Sequence, residues 1–154
     1  MRYHLDNFVP IHEEMLPKDR SGLLLEFARV DDPEYDSTIL GTKEVWVYGN
    51  DRTPMSPHFH YIERKGKHPF DIEIKIEDLE ICKSSSRKGV DKHSVSSWLN
   101  LSKEKKMLEQ WLNSPNSDDP NRTNYEMLFI AWNQNNRDNK IKPPANSQGV
   151  VKLK

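Results

Sequence analysis

The sequence has little cysteine and no long apolar run. Its single cysteine, Cys82, cannot form a disulfide within the chain, which indicates a reducing compartment. The longest apolar run, at Met127–Trp132, is far shorter than the roughly 20 residues that cross a bilayer. No apolar segment of signal-peptide length follows Arg2. We therefore expect a soluble protein of the cytoplasm, or of a virion or other assembly formed there.

The sequence also lacks an excess of charge of either sign. Its 23 lysines and arginines balance 24 aspartates and glutamates, so no overall field favours nucleic acid or a membrane surface. A chain of 154 residues with 34% hydrophobic residues suits one domain with a small core. We predict a single domain over residues 1–142 and a polar tail over 143–154. Alone, that tail should be loosely held, and a partner chain or a crystal neighbour would fix it.

Several segments have the composition or the alternation of β-strands. Ser21–Val30 and Lys43–Asp51 are rich in β-formers and bounded by turn residues. Over Phe70–Ile76 apolar and charged residues alternate, which is the pattern of a half-buried strand.

The clearest of these strands should pair back onto the segment HFHYI, across the turn Arg64–Lys67, as a hairpin. The predicted register places Tyr61 opposite Phe70 and Phe59 opposite Ile72 on an inner, apolar face. On the outer, solvent-facing side the register pairs two histidines with two carboxylates: His60 with Asp71 and His58 with Glu73.

Two helices are predicted after a mobile basic loop at Cys82–Ser94. The first begins at a Ser102 cap and stops before Pro115, and the second begins at Asp119 and Pro120. The second helix should cover the sheet through a stripe at helical spacing: Tyr125, Leu128, Phe129 and Trp132. The predicted fold is α+β, an antiparallel sheet of about four or five strands with two helices packed on one face.

The outer face of the hairpin is the strongest candidate for chemistry. Two imidazoles at i and i+2 on a strand point the same way, and carboxylates across the ladder could complete a site for a divalent transition metal. The candidate ligands are His58, His60, Asp71 and Glu73, with Glu73 also a candidate general base. The same four residues could instead form ordinary polar pairs, in which case no cofactor is needed.

A weaker candidate is a basic patch for nucleic acid at one end of the sheet. Lysines and arginines from the hairpin turn and the following loop could contact phosphates, and Trp46, Tyr48 or Trp98 could stack on bases. The basic residues are Arg64, Lys65, Lys67 and His68 with Arg87, Lys88 and Lys92. Lysine-rich turns without such a role are common.

The segment Val45–Ile81 resembles a family of small bacterial domains of unknown function whose signature reads Pro-Pro-His-Phe-His-Val. Pro57, His58, Phe59, His60 and Asp71 match that family's pattern, whereas a serine and a tyrosine, at positions 56 and 61, replace its first proline and its valine. Members are often encoded beside a small partner gene, in an arrangement like that of a toxin and its antitoxin. The resemblance implies a compact α+β fold with a binding or regulatory role.

Three functions remain open from the sequence. The favoured prediction is a small interaction or regulatory protein, not an enzyme, that binds another protein or its own copy through loops and tail. The alternative is a metal-dependent hydrolase or nuclease built on the histidine and carboxylate cluster. A further alternative is an accessory subunit of a larger assembly, such as that of a phage.

Overall fold

The computed structural model describes residues 27–49, 56–143 and 151–154 of the chain. Within these residues, one antiparallel sheet contains five strands in sequence order: β1 Phe27–Arg29, β2 Glu44–Tyr48, β3 His58–Glu63, β4 Phe70–Lys75 and β5 Ser86–Arg87. Four helices are described: α1 Ser37–Leu40, α2 Val95–Leu101, α3 Lys103–Leu112 and α4 Asn124–Asn135. The predicted α+β class is confirmed. The predicted strands at Ser21–Val30 and Lys43–Asp51 contain β1 and β2, and their residues 21–26 and 50–51 lie outside the described residues.

The hairpin of β3 and β4 has a different register from the predicted one. Tyr61 lies opposite Ile72, and Glu63 lies opposite Phe70, so the pairing is shifted by two residues. A shift of two keeps every side chain on its predicted face, because side chains alternate with a period of two. The apolar inner face was therefore predicted correctly, and the partner of each residue was not.

Strand β3 is the centre of the sheet and is buried on both sides. Its inner side chains, Phe59 and Tyr61, are fully buried and belong to the hydrophobic core. Its outer side chains are also buried: His58 retains 2% and His60 4% of its exposure. The prediction of a wet outer face is wrong at these two histidines, since neighbouring aromatic rings cover them.

All four helices contribute to the core, rather than the two that were predicted. Apolar side chains of α2 and α3, such as Leu99, Leu108 and Trp111, pack in one cluster with the inner face of the sheet. Helix α2 falls on a segment for which no helix was predicted, and it directly precedes α3. The predicted mobile loop at Cys82–Ser94 contains β5, which extends the sheet beside β4.

The predicted helix caps differ from the observed ones. Ser102 precedes α3 as expected, but its hydroxyl donates to the carbonyl of Leu99 and caps no amide of α3. Helix α4 begins at Asn124 and not near Asp119, because Thr123 and Glu126 form a capping box there.

Helix α4 crosses the end of the sheet at which β3 begins. Near the start of the helix, the Tyr125 hydroxyl donates to the carbonyl of Ile76, 2.7 Å away, just beyond β4. Further along, the ring centroids of Trp132 and His58 are 5.6 Å apart. After the last turn, Asn136 Nδ2 donates to the carbonyl of Tyr48, the last residue of β2. These contacts place α4 against the first residue of the central strand.

The last four residues pack against the body of the chain. Leu153 is buried in the core, and its amide donates to Glu109 Oε2 over 2.8 Å. Asn113 exchanges two side-chain hydrogen bonds with the backbone of Val151, and the amide of Lys154 donates to the carbonyl of Leu79. The expectation that an external partner must hold this end is wrong for these residues, since the chain itself holds them.

Candidate metal centre

The two histidines of β3 are oriented by hydrogen bonds at the same ring nitrogen. His58 Nδ1 lies 3.0 Å from the carbonyl oxygen of Ser56, and His60 Nδ1 lies 2.8 Å from Asp71 Oδ1. A carbonyl and a carboxylate only accept hydrogen bonds, so each Nδ1 carries the hydrogen. In a neutral imidazole the lone pair is then on Nε2, which is the ring atom that can bind a metal.

The Nε2 atoms of both rings approach the same carboxylate oxygen. Glu73 Oε1 is 3.6 Å from His58 Nε2 and 3.7 Å from His60 Nε2. One ligand atom from each of the three residues lies within 4.8 Å of the other two. His60 Nε2 is buried and has no hydrogen-bond partner in the described part of the chain. The three residues therefore form a compact donor set of two imidazoles and one carboxylate.

The backbone amide and the backbone carbonyl of Glu73 are both hydrogen-bonded. Ser85 Oγ accepts from the Glu73 amide over 2.9 Å and donates to the Glu73 carbonyl over 3.2 Å. The amide of Cys82 also donates to that carbonyl, over 2.8 Å. The segment after β4 thus fixes the residue that faces both histidines. Burial, and next the nearby Glu73 carboxylate, raise the pKa of the Cys82 thiol.

Aromatic rings enclose the imidazoles. Tyr48 stacks on His60 with ring centroids 3.9 Å apart, and Trp132 packs against His58. The carboxylates are more accessible, since the Glu73 side chain is 15% exposed and the Asp71 side chain 43%. A ligand entering this site would approach from the side of the carboxylates.

Next to the histidines, Trp46 lies between two arginines. The guanidinium carbons of Arg29 and Arg64 are each 5.9 Å from the centre of the Trp46 ring. Glu44 accepts from Trp46 Nε1 and from Arg64 Nε. Glu44 thus pairs with Arg64, although one terminal nitrogen of Arg64 is buried with no hydrogen-bond partner among the described residues, and the buried Trp46 ring has almost no surface on which a base could stack.

The structure brings together three of the four predicted metal ligands. Asp71 is separate from them because its carboxylate lies on Nδ1 of His60, the ring atom directed away from Glu73. The two predicted pairs, His60 with Asp71 and His58 with Glu73, exist as side-chain contacts. Each joins diagonal neighbours on the two strands, because His60 lies opposite Glu73 and His58 opposite Lys75. Glu73 has the position of a ligand. Sequence reasoning missed the carbonyl of Ser56 and the hydroxyl of Ser85, for which no pattern in the sequence gave a signal.

The predicted basic patch is divided in the structure. Arg64 is engaged by Glu44 on the histidine side of the sheet. Lys65 and Arg87 line a common cavity on the other side of the hairpin, whereas Lys67 and Lys88 are exposed and do not line it. The predicted basic residues therefore do not form one continuous surface, and only some of them line the same cavity.

Comparisons with family models, with curated proteins and with solved structures find no match to this chain. The resemblance to small bacterial domains with the Pro-Pro-His-Phe-His-Val signature stays a prediction. Within the described ranges, none of the helices has the length and apolarity needed to span a membrane. The geometry of the site is therefore the main guide to function.

Proposed function

We propose that this protein binds one divalent transition-metal ion, with zinc the first candidate, through His58, His60 and Glu73. The observation that supports the proposal best is the approach of two Nε2 atoms to one carboxylate oxygen while both Nδ1 atoms have acceptors. Metal-bound histidines almost always donate their other ring N–H to a carboxylate or a carbonyl, which is the arrangement seen in both rings here.

The distances suit a small ion. Two ligand atoms about 2.1 Å from one zinc ion, at a tetrahedral angle, lie about 3.4 Å apart. The two nitrogen to oxygen distances here, 3.6 Å and 3.7 Å, are within a few tenths of an ångström of that separation. The third distance, between the two Nε2 atoms, is at most 4.8 Å, so side-chain rotations that bring the two rings closer would complete the arrangement around an ion.

The ligand set also favours zinc over the harder divalent cations. Imidazole nitrogens suit zinc, copper, iron and nickel, whereas calcium and magnesium prefer oxygen ligands. Two of the three donors here are imidazoles, and both are nearly fully buried. An ion held by them would connect β3 to β4 and stabilise the centre of the sheet.

Hydrolysis is a second candidate function, supported by the number of protein ligands. Two histidines and one glutamate form the protein ligand set of one class of catalytic zinc sites, in which the fourth position holds water. Because Glu73 occupies a ligand position here, a hydrolytic reaction would need a different general base. The favoured prediction from sequence, a partner-binding protein, is compatible with a structural metal.

The test is zinc affinity, measured by competition with a chromogenic chelator, together with elemental analysis of the purified full chain. Wild type should bind one zinc ion, and His58→Ala, His60→Ala and Glu73→Gln should each lose more affinity than the ten- to hundredfold typical of outer partners. His93→Ala is the matched control, since His93 is an exposed histidine that is not part of the donor set. Zinc at about a hundredfold above its dissociation constant should stabilise wild type by about 2.7 kcal/mol. No saturable zinc binding, or equal affinity in the His60→Ala variant, would refute the proposal.

A further inference from the structure

A cavity of about 440 Å³ opens beside the turn between β3 and β4. None of the proposed metal ligands lines it. Its volume is within the range of about 300 to 1,000 Å³ typical of small-molecule sites. The cavity is therefore a separate feature of the fold, and a ligand bound in it would not depend on the proposed metal.

The carboxylates on the acidic side of the cavity have partners within the chain and share one ammonium group. Glu63 accepts hydrogen bonds from the Thr42 hydroxyl over 2.6 Å and from the Lys65 amide over 3.3 Å. Lys43 Nζ lies 3.9 Å from Glu63 Oε2 and 3.5 Å from Glu104 Oε1. These two carboxylates have partners and need no ligand.

The basic side of the cavity is not neutralised. The guanidinium of Arg87 lies over the Trp98 ring, 4.3 Å from its centre, and Trp98 in turn packs against Phe70. Arg87 Nε is buried and has no hydrogen-bond partner among the described residues. Over the same residues no carboxylate forms an ion pair with Arg87. The half-buried guanidinium therefore has no anionic partner in the described part of the chain, so the cavity is suited to a ligand that brings one to its terminal nitrogens.

The stack on Trp98 also fixes the orientation of the guanidinium. The two terminal nitrogens of an arginine form a pair of parallel donors that match the two oxygens of a carboxylate or a phosphate, and on Arg87 these are the atoms that a ligand in the cavity can reach, because Nε is buried. Lys65 and His68 line the same cavity and add donors at its rim. The three side chains thus line one cavity, whose donors suit an oxygen-rich anion.

We propose that this cavity binds the oxyanion group of a small molecule, a phosphate or a carboxylate, with Arg87 as a bidentate hydrogen-bond donor and Lys65 at the rim. A nucleic-acid polymer fits less well, because Lys67 and Lys88, which would contact its further phosphates, lie outside the cavity. The predicted basic patch is thereby reduced to a site for a small anion.

The test is calorimetric titration of the metal-free full chain, at constant ionic strength, with inorganic phosphate and separately with acetate. We expect saturable binding of one or both anions, and a loss of at least about tenfold in the Arg87→Gln variant. Arg87→Lys keeps the charge but not the planar pair of donors, and it should also lose binding. Lys88→Gln, an exposed neighbour, is the matched control and should bind as wild type does. Glu73→Gln should likewise leave anion binding unchanged, which separates this site from the metal centre.

The outcomes decide between the sources of the anion. Binding of phosphate alone assigns a phosphate-bearing ligand, and binding of acetate alone assigns a carboxylate. No saturable binding of either, or equal binding in Arg87→Gln, overturns the proposal, as does a single-stranded oligonucleotide that binds more tightly than phosphate. Circular dichroism checks the fold of each variant. If the Arg87 variants do not fold, Lys65→Gln at the exposed turn should still weaken binding by about threefold, and an unchanged affinity in that variant overturns the proposal.

Discussion

Removing the carboxylate of Asp71 should weaken zinc binding although Asp71 is not one of the three proposed ligands. Its Oδ1 accepts from His60 Nδ1 over 2.8 Å, so it holds the ring with Nε2 directed at Glu73. Outer partners of this kind typically contribute ten- to a hundredfold in metal affinity. The Asp71 side chain is 43% exposed, which places the expected loss for Asp71→Ala near the lower limit, about tenfold, or about 1.4 kcal/mol.

A second substitution separates the charge of Asp71 from its role as an acceptor. Asp71→Asn keeps an oxygen that can accept from His60 Nδ1 but removes the negative charge. A hydrogen bond to a neutral acceptor is about half as strong as one to a charged acceptor. Asp71→Asn keeps this weaker bond and Asp71→Ala keeps none, so the asparagine variant should lose less affinity. The assay is chelator competition at neutral pH, with circular dichroism to confirm the fold of each variant.

Glu77→Ala is the matched control, because Glu77 is exposed and lies just beyond the same strand. It should bind zinc as wild type does. If Asp71→Ala kept full affinity while His60→Ala lost it, Asp71 would have no part in orienting the ring. If Glu77→Ala weakened binding as much as Asp71→Ala, the effect would be one of general charge near the site.

Three further predictions concern the stability of the fold, each measured by chemical denaturation. Leu153→Ala should lower the free energy of unfolding by about 2 kcal/mol, since Leu153 is buried in the core, and a loss below about 0.5 kcal/mol would mean that the chain end does not pack there in solution. Thr123→Ala removes the capping box of α4 and should cost about 1 kcal/mol, more than Ser102→Ala, whose hydroxyl caps no amide of α3; equal losses would contradict the assigned caps. Tyr125→Phe should cost about 1 kcal/mol below pH ~10, because the hydroxyl donates to Ile76. Burial raises the pKa of Tyr125 to about 12, so the unfolded chain ionises first and the advantage of wild type over the phenylalanine variant should disappear as the pH rises through that value; a difference independent of pH would contradict it.

The alternation over β4 was enough to predict which side chains face the core, and it could not fix the register. The predicted pairing of Tyr61 with Phe70 and the observed pairing of Glu63 with Phe70 place the same residues inside. They differ only in the length of the turn, where Gly66 adopts a φ of 94°, a conformation that glycine adopts easily. Hydrophobic pattern therefore limits the choice to registers two residues apart, and turn geometry selects among them.

The burial of the two histidines depends on contacts between residues distant in the sequence. Tyr48 comes from β2 and Trp132 from α4, and neither is related to the hairpin by any spacing in the chain. A period of two indicates that His58 and His60 share a face. It gives no information on whether that face meets water or other rings, which is why the sequence favoured an exposed polar face.

The two-residue shift also decides which carboxylate can act as a ligand. In the predicted register each histidine has its own acidic partner, and Asp71 and Glu73 would be equivalent candidates. In the observed register Glu73 lies opposite His60, and the ring of His58 is its diagonal neighbour, so one carboxylate reaches both Nε2 atoms. Asp71 is displaced toward the turn and reaches only Nδ1 of His60. The different positions of these two acids thus follow from the turn between β3 and β4, since a register shifted by two residues would place Asp71 opposite His60 and Glu73 opposite His58.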